Sequence, residues 1–404
     1  MRKISLSGLW LTACLLESAA GCANDRVPPE ALPCYSEDFE TSPPLARWTS
    51  VGPGVRGETL FWSRESDRAE RGFLEIRVPS RKARDAGCES PPFPVRAGAH
   101  YALRFQSRSS APALVGILFY DLEGALLEGD HYSLVETSPE WTLNELCFKA
   151  KQRASTASIV FRAPEEGSVA VDDLRVDPAS LREVKAWSDR LHAVMPPLRY
   201  DPPQGTGRFL PRTAARLRSR APLRAVLLGD SIANDLSNSC LEAMLADEFP
   251  GLDVDLRFTG RGGTGWTRHA LQVRERILNH ESGLVLFLAI SNAPDTLFDR
   301  LGGIIDEVRL RSPATEMLIV TPHLKGWGGI EDAGLRHREL LIRLADERGV
   351  ELVDLTSAWG RYLGEAGKDK GWLLRDAVHM NERGRQVAAR VVLAHLREAV
   401  RRNP

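Results

Sequence analysis

Hydrophobic and polar positions divide the chain into two stretches of different period. Between Cys34 and about Pro178 the dominant repeat is two. Tyr101, Leu103 and Phe105 alternate with Ala102, Arg104 and Gln106; Ile159 and Phe161 alternate with Ser158, Val160 and Arg162. Successive side chains of a strand point to opposite faces, so this alternation predicts strands with one face buried. Residues 73–78, 115–120 and 141–148 are further short runs, separated by Gly, Pro, Asp and Ser. Short strands at such spacing predict an all-β sandwich or jelly roll over residues 34–178.

From Leu223 the pattern changes. Residues 225–228, 253–258, 284–290, 317–320 and 350–355 read as short, mostly apolar strands. Between them, Leu241, Met244, Leu245 and Phe249 fall at helical spacing, as do apolar positions in 271–278, 297–310 and 335–348. A long amphipathic helix is predicted over 381–400. Strands alternating with helices predict an α/β fold for 223–404, with a mostly parallel sheet covered on both faces. In such sheets ligands and chemistry collect beyond the carboxyl ends of the strands. Residues 179–222 join the two halves. They hold a helical stretch at 181–194, the pairs Pro196-Pro197 and Pro202-Pro203, and a basic run from Arg212 to Arg220 that reads as a solvated helix face.

The first 21 residues have the order of an export signal. Arg2 and Lys3 precede a mostly apolar run, Ile4 to Leu16, and then small residues, Ser18-Ala19-Ala20-Gly21. The apolar run is too short to span a bilayer. Cys22 follows the small residues directly, so the signal reads either as a lipoprotein signal with Cys22 lipidated or as ordinary secretion. Residues 22–33 are polar and Pro-rich, which suits a tether. The chain is therefore expected to be exported, as a membrane-anchored lipoprotein or a secreted or periplasmic protein. Export permits disulfides among Cys34, Cys88, Cys147 and Cys240, with no pairing assignable from the sequence.

Composition narrows the function. The net charge is −1 and no basic stripe with interleaved aromatics occurs, so a nucleic-acid partner is not indicated. No His/Cys cluster has zinc spacing, and the glycine-rich stretch 260–265 lacks the Lys-Ser/Thr of a phosphate loop. Neither a metal nor a cofactor is called for.

The candidate chemistry lies in two segments far apart in the chain. Gly229-Asp230-Ser231-Ile232 follows the first strand of the α/β half. A strand-to-helix turn there exposes a serine beside free helix N–H groups, which can stabilise an oxyanion. The same four residues could instead simply cap a helix. A serine hydroxyl needs a base, and Asp376-Ala377-Val378-His379 before the last helix supplies one. The same Asp-x-x-His spacing recurs at Asp189 and His192, where it has no role assigned.

Gly-Asp-Ser-Ile after the first strand and Asp-x-x-His before the last helix resemble the SGNH/GDSL hydrolases, over about residues 223–404. The Gly-x-Ser-x-Gly elbow of ordinary α/β-hydrolases is absent. The resemblance implies a three-layer α/β/α domain and a triad of Ser231, His379 and Asp376. It also implies oxyanion donors at a glycine after the second strand and an asparagine after the third. Within Thr259–Trp266 the family pattern selects Gly262, with Gly263 as its neighbour; Asn292 is the candidate asparagine. Asn292 also reads as a turn residue before Pro294, and the family's glycine and aspartate around it are missing. Asp38-Phe39-Glu40 with Trp48, and Val169 to Val176, resemble the ends of carbohydrate-binding-module jelly rolls. Trp48, Trp62, Tyr120 and Tyr132 are candidates to stack on sugar rings, or else core and rim residues of the sandwich.

The function these resemblances imply is an exported serine esterase acting on an acylated glycan, with acetyl or another small acyl group removed. Alternatives are a lipase, lysophospholipase or thioesterase of the same fold, an acyltransferase, or a glycan-binding surface protein with a degenerate hydrolase domain.

Overall fold

The computed structural model describes residues 34–40, 47–52, 57–64, 72–289, 294–324 and 331–404. The signal, Cys22, the tether and Asn292 lie outside them. The N-terminal half is a sandwich of two antiparallel sheets. Its strands are β1 (Tyr35–Glu37), β2 (Thr49–Val51), β3 (Leu60–Arg64), β4 (Gly72–Val78), β5 (Ala86–Glu89) and β6 (Phe93–Pro94). They continue with β7 (His100–Ser109), β8 (Ala113–Tyr120), β9 (His131–Val135), β10 (Ser138–Lys149), β11 (Thr156–Ala163) and β12 (Gly167–Ala179). One sheet runs β10-β7-β12-β4-β3 with β1 on β12; the other runs β2-β5-β11-β8-β9 with β6 on β11.

Leu103, Phe105, Ile117, Phe119, Ile159 and Phe161 fill the space between the sheets. Ser158 and Val160, expected on the solvent side of β11, are also buried. The Tyr132 ring covers that outer face: Val160 and Tyr132 both crowd the point where Gly116 would carry a Cβ.

The second half is a five-stranded parallel sheet of β13 (Leu223–Gly229), β14 (Val254–Phe258), β15 (Leu284–Leu288), β16 (Glu316–Val320) and β17 (Glu351–Val353), in the order β14-β13-β15-β16-β17. The strands are almost wholly buried, because helices cover both faces. Val226, Leu228, Val285 and Phe287 face one helical layer, with Leu301, Ile305 and Leu344. Their alternating neighbours Ala225, Leu227, Leu284 and Leu286 face the other, with Val387, Val391 and Leu396. The order places the switch point of the fold between β13 and β15, outside whose carboxyl ends such sheets keep their binding crevice.

The helices are α1 (Leu181–Ala193), α2 (Pro211–Ser219), α3 (Ser231–Ser237), α4 (Leu241–Glu248), α5 (Trp266–Ala270), α6 (Val273–Arg276), α7 (Pro294–Arg311), α8 (Glu331–Arg348), α9 (Leu355–Ala366) and α10 (Glu382–Arg402). The helix expected over 271–278 is broken into short pieces. Helix α9 was not expected, because Gly360 and Gly364 lower helical propensity, but Asp354 caps its first turn and Trp359 and Tyr362 bury its inner face. Among the described residues no helix is long and apolar enough to cross a membrane.

The two halves share one buried apolar cluster, running from Phe105 and Phe148 to Trp187, Met244 and Val391. Polar contacts cross the same junction. The Trp187 indole donates to the Glu145 carbonyl at 3.1 Å, and Lys149 pairs with Glu242 at 2.6 Å and Asp255 at 3.1 Å.

Candidate active site

The site forms where β13 ends. Gly229 passes so close to β15 that a Cβ there would lie 1.7 Å from the Leu288 carbonyl oxygen, and one on Gly260 would lie 1.9 Å from the Gly229 oxygen. Only glycine fits at either point. Asp230 caps α3, its carboxylate accepting from the Ile232 N–H at 3.0 Å. Ser231 is then the first residue of the helix, where N–H groups have no intrahelical partner.

His379 reaches this serine from the other end of the half. Its Nε2 lies 2.9 Å from Ser231 Oγ. Its Nδ1 lies 2.8 Å from one Asp376 carboxylate oxygen and 3.1 Å from the other. With Nδ1–H directed to the carboxylate, Nε2 is left to accept from the serine hydroxyl. Asp376 Oδ1 also accepts from the Val378 and His379 N–H groups, both at 2.8 Å. Partial burial raises the Asp376 pKa, but the His379 imidazole and these N–H groups outweigh it and hold it at about 2.

Gly262 stands beside Ser231: a Cβ on it would lie 3.8 Å from Ser231 Cβ. Gly263, the other candidate, has φ +66° and faces open space. Of the expected site residues, Ser231, Asp376, His379 and Gly262 thus converge. Asp189 instead sits on α1, ion-paired to Lys185 at 2.7 Å and Arg390 at 3.0 Å.

What draws the two segments together is a buried charge cluster that the sequence reading missed. Asp235 lies one turn beyond Ser231 on α3. Its carboxylate accepts from Arg375 at 2.7 Å, from Arg385 at 2.9 Å and from the Met380 N–H at 2.9 Å. Arg375 also donates to the Met380 carbonyl at 2.7 Å. The helix that begins with Ser231 therefore grips the loop that carries His379. Burial raises the Asp235 pKa, and the two arginines overcome this to hold it well below the carboxylate range. Arg385 is fully buried and reaches the sandwich, donating to the Tyr132 carbonyl at 2.6 Å and to His131 Nε2 at 2.8 Å. Its other partner, Glu382, accepts from Ser133 at 2.9 Å. A signal existed in the sequence: Arg385 shares a helical stripe with the apolar residues Ala389, Val392 and Leu396, so a charge was due to be buried.

The sandwich aromatics take separate places. Trp48 is fully buried between Phe39 and Phe161, so it has no face for a ligand. The Trp62 indole donates to the Phe39 carbonyl at 3.0 Å, and the Tyr120 hydroxyl donates to Glu89. Cys34, Cys88, Cys147 and Cys240 are all free thiols. Among the described residues no group of three or more His, Cys, Asp or Glu is placed to hold a metal ion.

No protein-family model and no curated protein matches the sequence. Among solved structures, the chain is similar to LAE5, an alpha/beta hydrolase enzyme from the metagenome of Lake Arreo, Spain, at 23% identity and TM-score 0.37, covering 43% of this chain and 94% of that one. It is similar to the acetyl xylan esterase AlAXEase at 19% identity and TM-score 0.39, covering 43% and 98%. It is similar to Axe2, an acetylxylan esterase from Geobacillus stearothermophilus, at 16% identity and TM-score 0.39, covering 43% and 94%.

Proposed function

We propose that this protein is an exported serine esterase that removes acetyl or another small acyl group from a glycan. The observation that carries the esterase reading is the continuous chain of contacts from Ser231 Oγ to His379 at 2.9 Å and from His379 to Asp376 at 2.8 Å. A neutral serine is a weak nucleophile, and this arrangement supplies the base it needs. His379 Nε2 takes the hydroxyl proton as Ser231 Oγ attacks the ester carbonyl. Asp376 keeps the imidazole in the required tautomer and stabilises its charged form. In this reading the Ser231 and Gly262 N–H groups bind the developing oxyanion, with Asn292 as the third donor. His379 then gives its proton to the departing alcohol. A water molecule, deprotonated by His379, releases the acyl group and restores Ser231. The glycan part of the reading is supported by the attached sandwich, and export by the leader-like first 21 residues and Cys22.

A fluorophosphonate probe tests the first part. It should label the wild type and leave Ser231→Ala unlabelled, with turnover of nitrophenyl acetate falling by about 10⁴-fold or more. An unlabelled wild type would overturn the esterase reading. Acetate release from acetylated xylan, pectin or peptidoglycan tests the second part; labelling with no release from any of them would remove the glycan.

A further inference from the structure

The segment joining β8 to β9 leaves the sandwich and lies against the α/β site. Glu128 pairs with Arg261, beside Gly262, at 3.0 Å. A Cβ on Gly129 would lie 3.0 Å from the Phe258 ring. The Asp130 carbonyl accepts from Asn234, on the helix that begins with Ser231, at 2.6 Å and from Asn238, which caps the end of that helix, at 3.0 Å. Asn234 is three residues from Ser231, on the same side of α3 and about 4.5 Å along its axis. The backbone of Asp130 is therefore tied to the helix that carries Ser231.

Its side chain is not used in this docking. Among the described residues no group hydrogen-bonds the Asp130 carboxylate, although Arg375, Lys151, Asp235 and His379 all act on it electrostatically. His131 and Ser133 of β9 turn toward Glu382 and Arg385, so Tyr132 between them turns the other way. Asp130, just before β9, lies close enough to act electrostatically on the Tyr132 hydroxyl, as does Arg162. Tyr132 packs against Gly116, where a Cβ would meet its ring at 2.4 Å. Arg162 stacks over that ring at 5.9 Å. The Tyr132 hydroxyl also has no hydrogen-bond partner among the described residues, and Arg162 Nε is buried without one. Burial raises the pKa of both Asp130 and Tyr132. A carboxylate, a phenol and a guanidinium thus lie together beside the α/β site, each with bonding capacity unspent. Such groups are costly to leave half-buried unless something binds them.

We propose that Asp130, Tyr132 and Arg162 of the sandwich form the subsite that holds the sugar part of an acylated glycan while Ser231 attacks its ester. Asp130 accepts from sugar hydroxyls, Tyr132 offers its hydroxyl, and Arg162 donates. The inference rests on the esterase reading for the identity of the attacked bond. It makes the sandwich a wall of the active site.

The test is calorimetric titration into the non-turning Ser231→Ala protein. The probes are acetylated oligosaccharide fragments of xylan, pectin and peptidoglycan. At least one should bind, and adding Asp130→Ala or Tyr132→Ala should each raise its Kd tenfold or more. Asp130→Asn, which keeps the shape of the side chain, takes the place of Asp130→Ala if the latter melts earlier than its parent. Kd values within twofold of the parent, or no binding by any probe, would overturn the subsite. Nitrophenyl acetate turnover by the wild type, run in parallel, reports on the esterase reading alone: failure there leaves the titration standing, and failure of the titration leaves the esterase.

Discussion

Asp235→Asn is the substitution that bears most directly on how the site is assembled. The carboxylate is fully buried and takes three donors: Arg375, Arg385 and the Met380 N–H. An amide in its place is neutral and turns an N–H group toward at least one of those donors. Removing one partner of a buried ion pair costs about 3–5 kcal/mol, because the remaining charge is stranded out of water. Arg385 keeps Glu382 at 2.5 Å, which places the expected cost at the lower end, about 3 kcal/mol. A domain of 150–250 residues loses about 2–4 °C of Tm per kcal/mol, so the melt should shift by roughly 6–12 °C. Activity should fall further than stability accounts for. Met380 follows His379 directly, and loosening it lets the imidazole drift from Ser231; a displacement of about 1 Å can cost 10²-fold in rate. The assay pairs a thermal melt followed by circular dichroism with kcat and KM for nitrophenyl acetate, measured well below the lowered Tm. The expected pattern is a fall in kcat with KM little changed. A melt within about 1 °C of the wild type and kcat within twofold would show that the 375–380 loop is held by something else.

Two glycines near Ser231 should respond in opposite ways. Gly229→Ala places a Cβ 1.7 Å from the Leu288 carbonyl and should destabilise by several kcal/mol, about the upper range for single substitutions, giving little soluble protein. Gly262→Ala meets only Ser231 Cβ at 3.8 Å, so it should melt like the wild type while kcat/KM falls as the methyl occupies acyl space; equal melts for both would refute the distinction. The junction between the halves should also be acid-sensitive. His131 is buried, which together with Arg385 lowers its pKa to about 4, so as pH falls from about 6.5 to 4 the unfolded chain binds a proton that the folded one refuses. For Glu382, burial raises the pKa but Arg385 and His131 bring it to about 2. Its contribution is present above about pH 4.5 and lost as pH falls toward 2. Denaturant melts between pH 7 and 3 should show steadily falling stability, and Glu382→Gln should flatten the lower part of that curve; a curve flat from pH 7 to 3 would refute both assignments.

Much of this was legible along the chain. Period-two alternation marked the sandwich because its sheets each bury one face, and alternating apolar strands and amphipathic helices marked the parallel sheet because helices cover both of its faces. Gly229-Asp230-Ser231 could be read at a strand's end because a glycine, a capping carboxylate and a helix-starting serine are local requirements. Helix α9 escaped because its stability comes from burying Trp359 and Tyr362, a tertiary contribution that outweighs its glycines. The family pattern favoured Gly262 over its neighbour Gly263, but nothing local separates two adjacent glycines in a turn; the position of Ser231 beside Gly262 does.

The sequence by itself determined the periods, the caps and the residue types that could do acyl chemistry, since each depends on neighbours a few positions away. Only the tertiary structure decided that Ser231 and His379, 148 positions apart, meet at 2.9 Å. It also decided that Asp235 and Arg385 are buried as partners, and that Asp130 of the sandwich is set against the α/β site. Those are contacts between segments with no local signal for one another. They exist because a buried charge must find its counterion and because the sandwich and the sheet close over one apolar core.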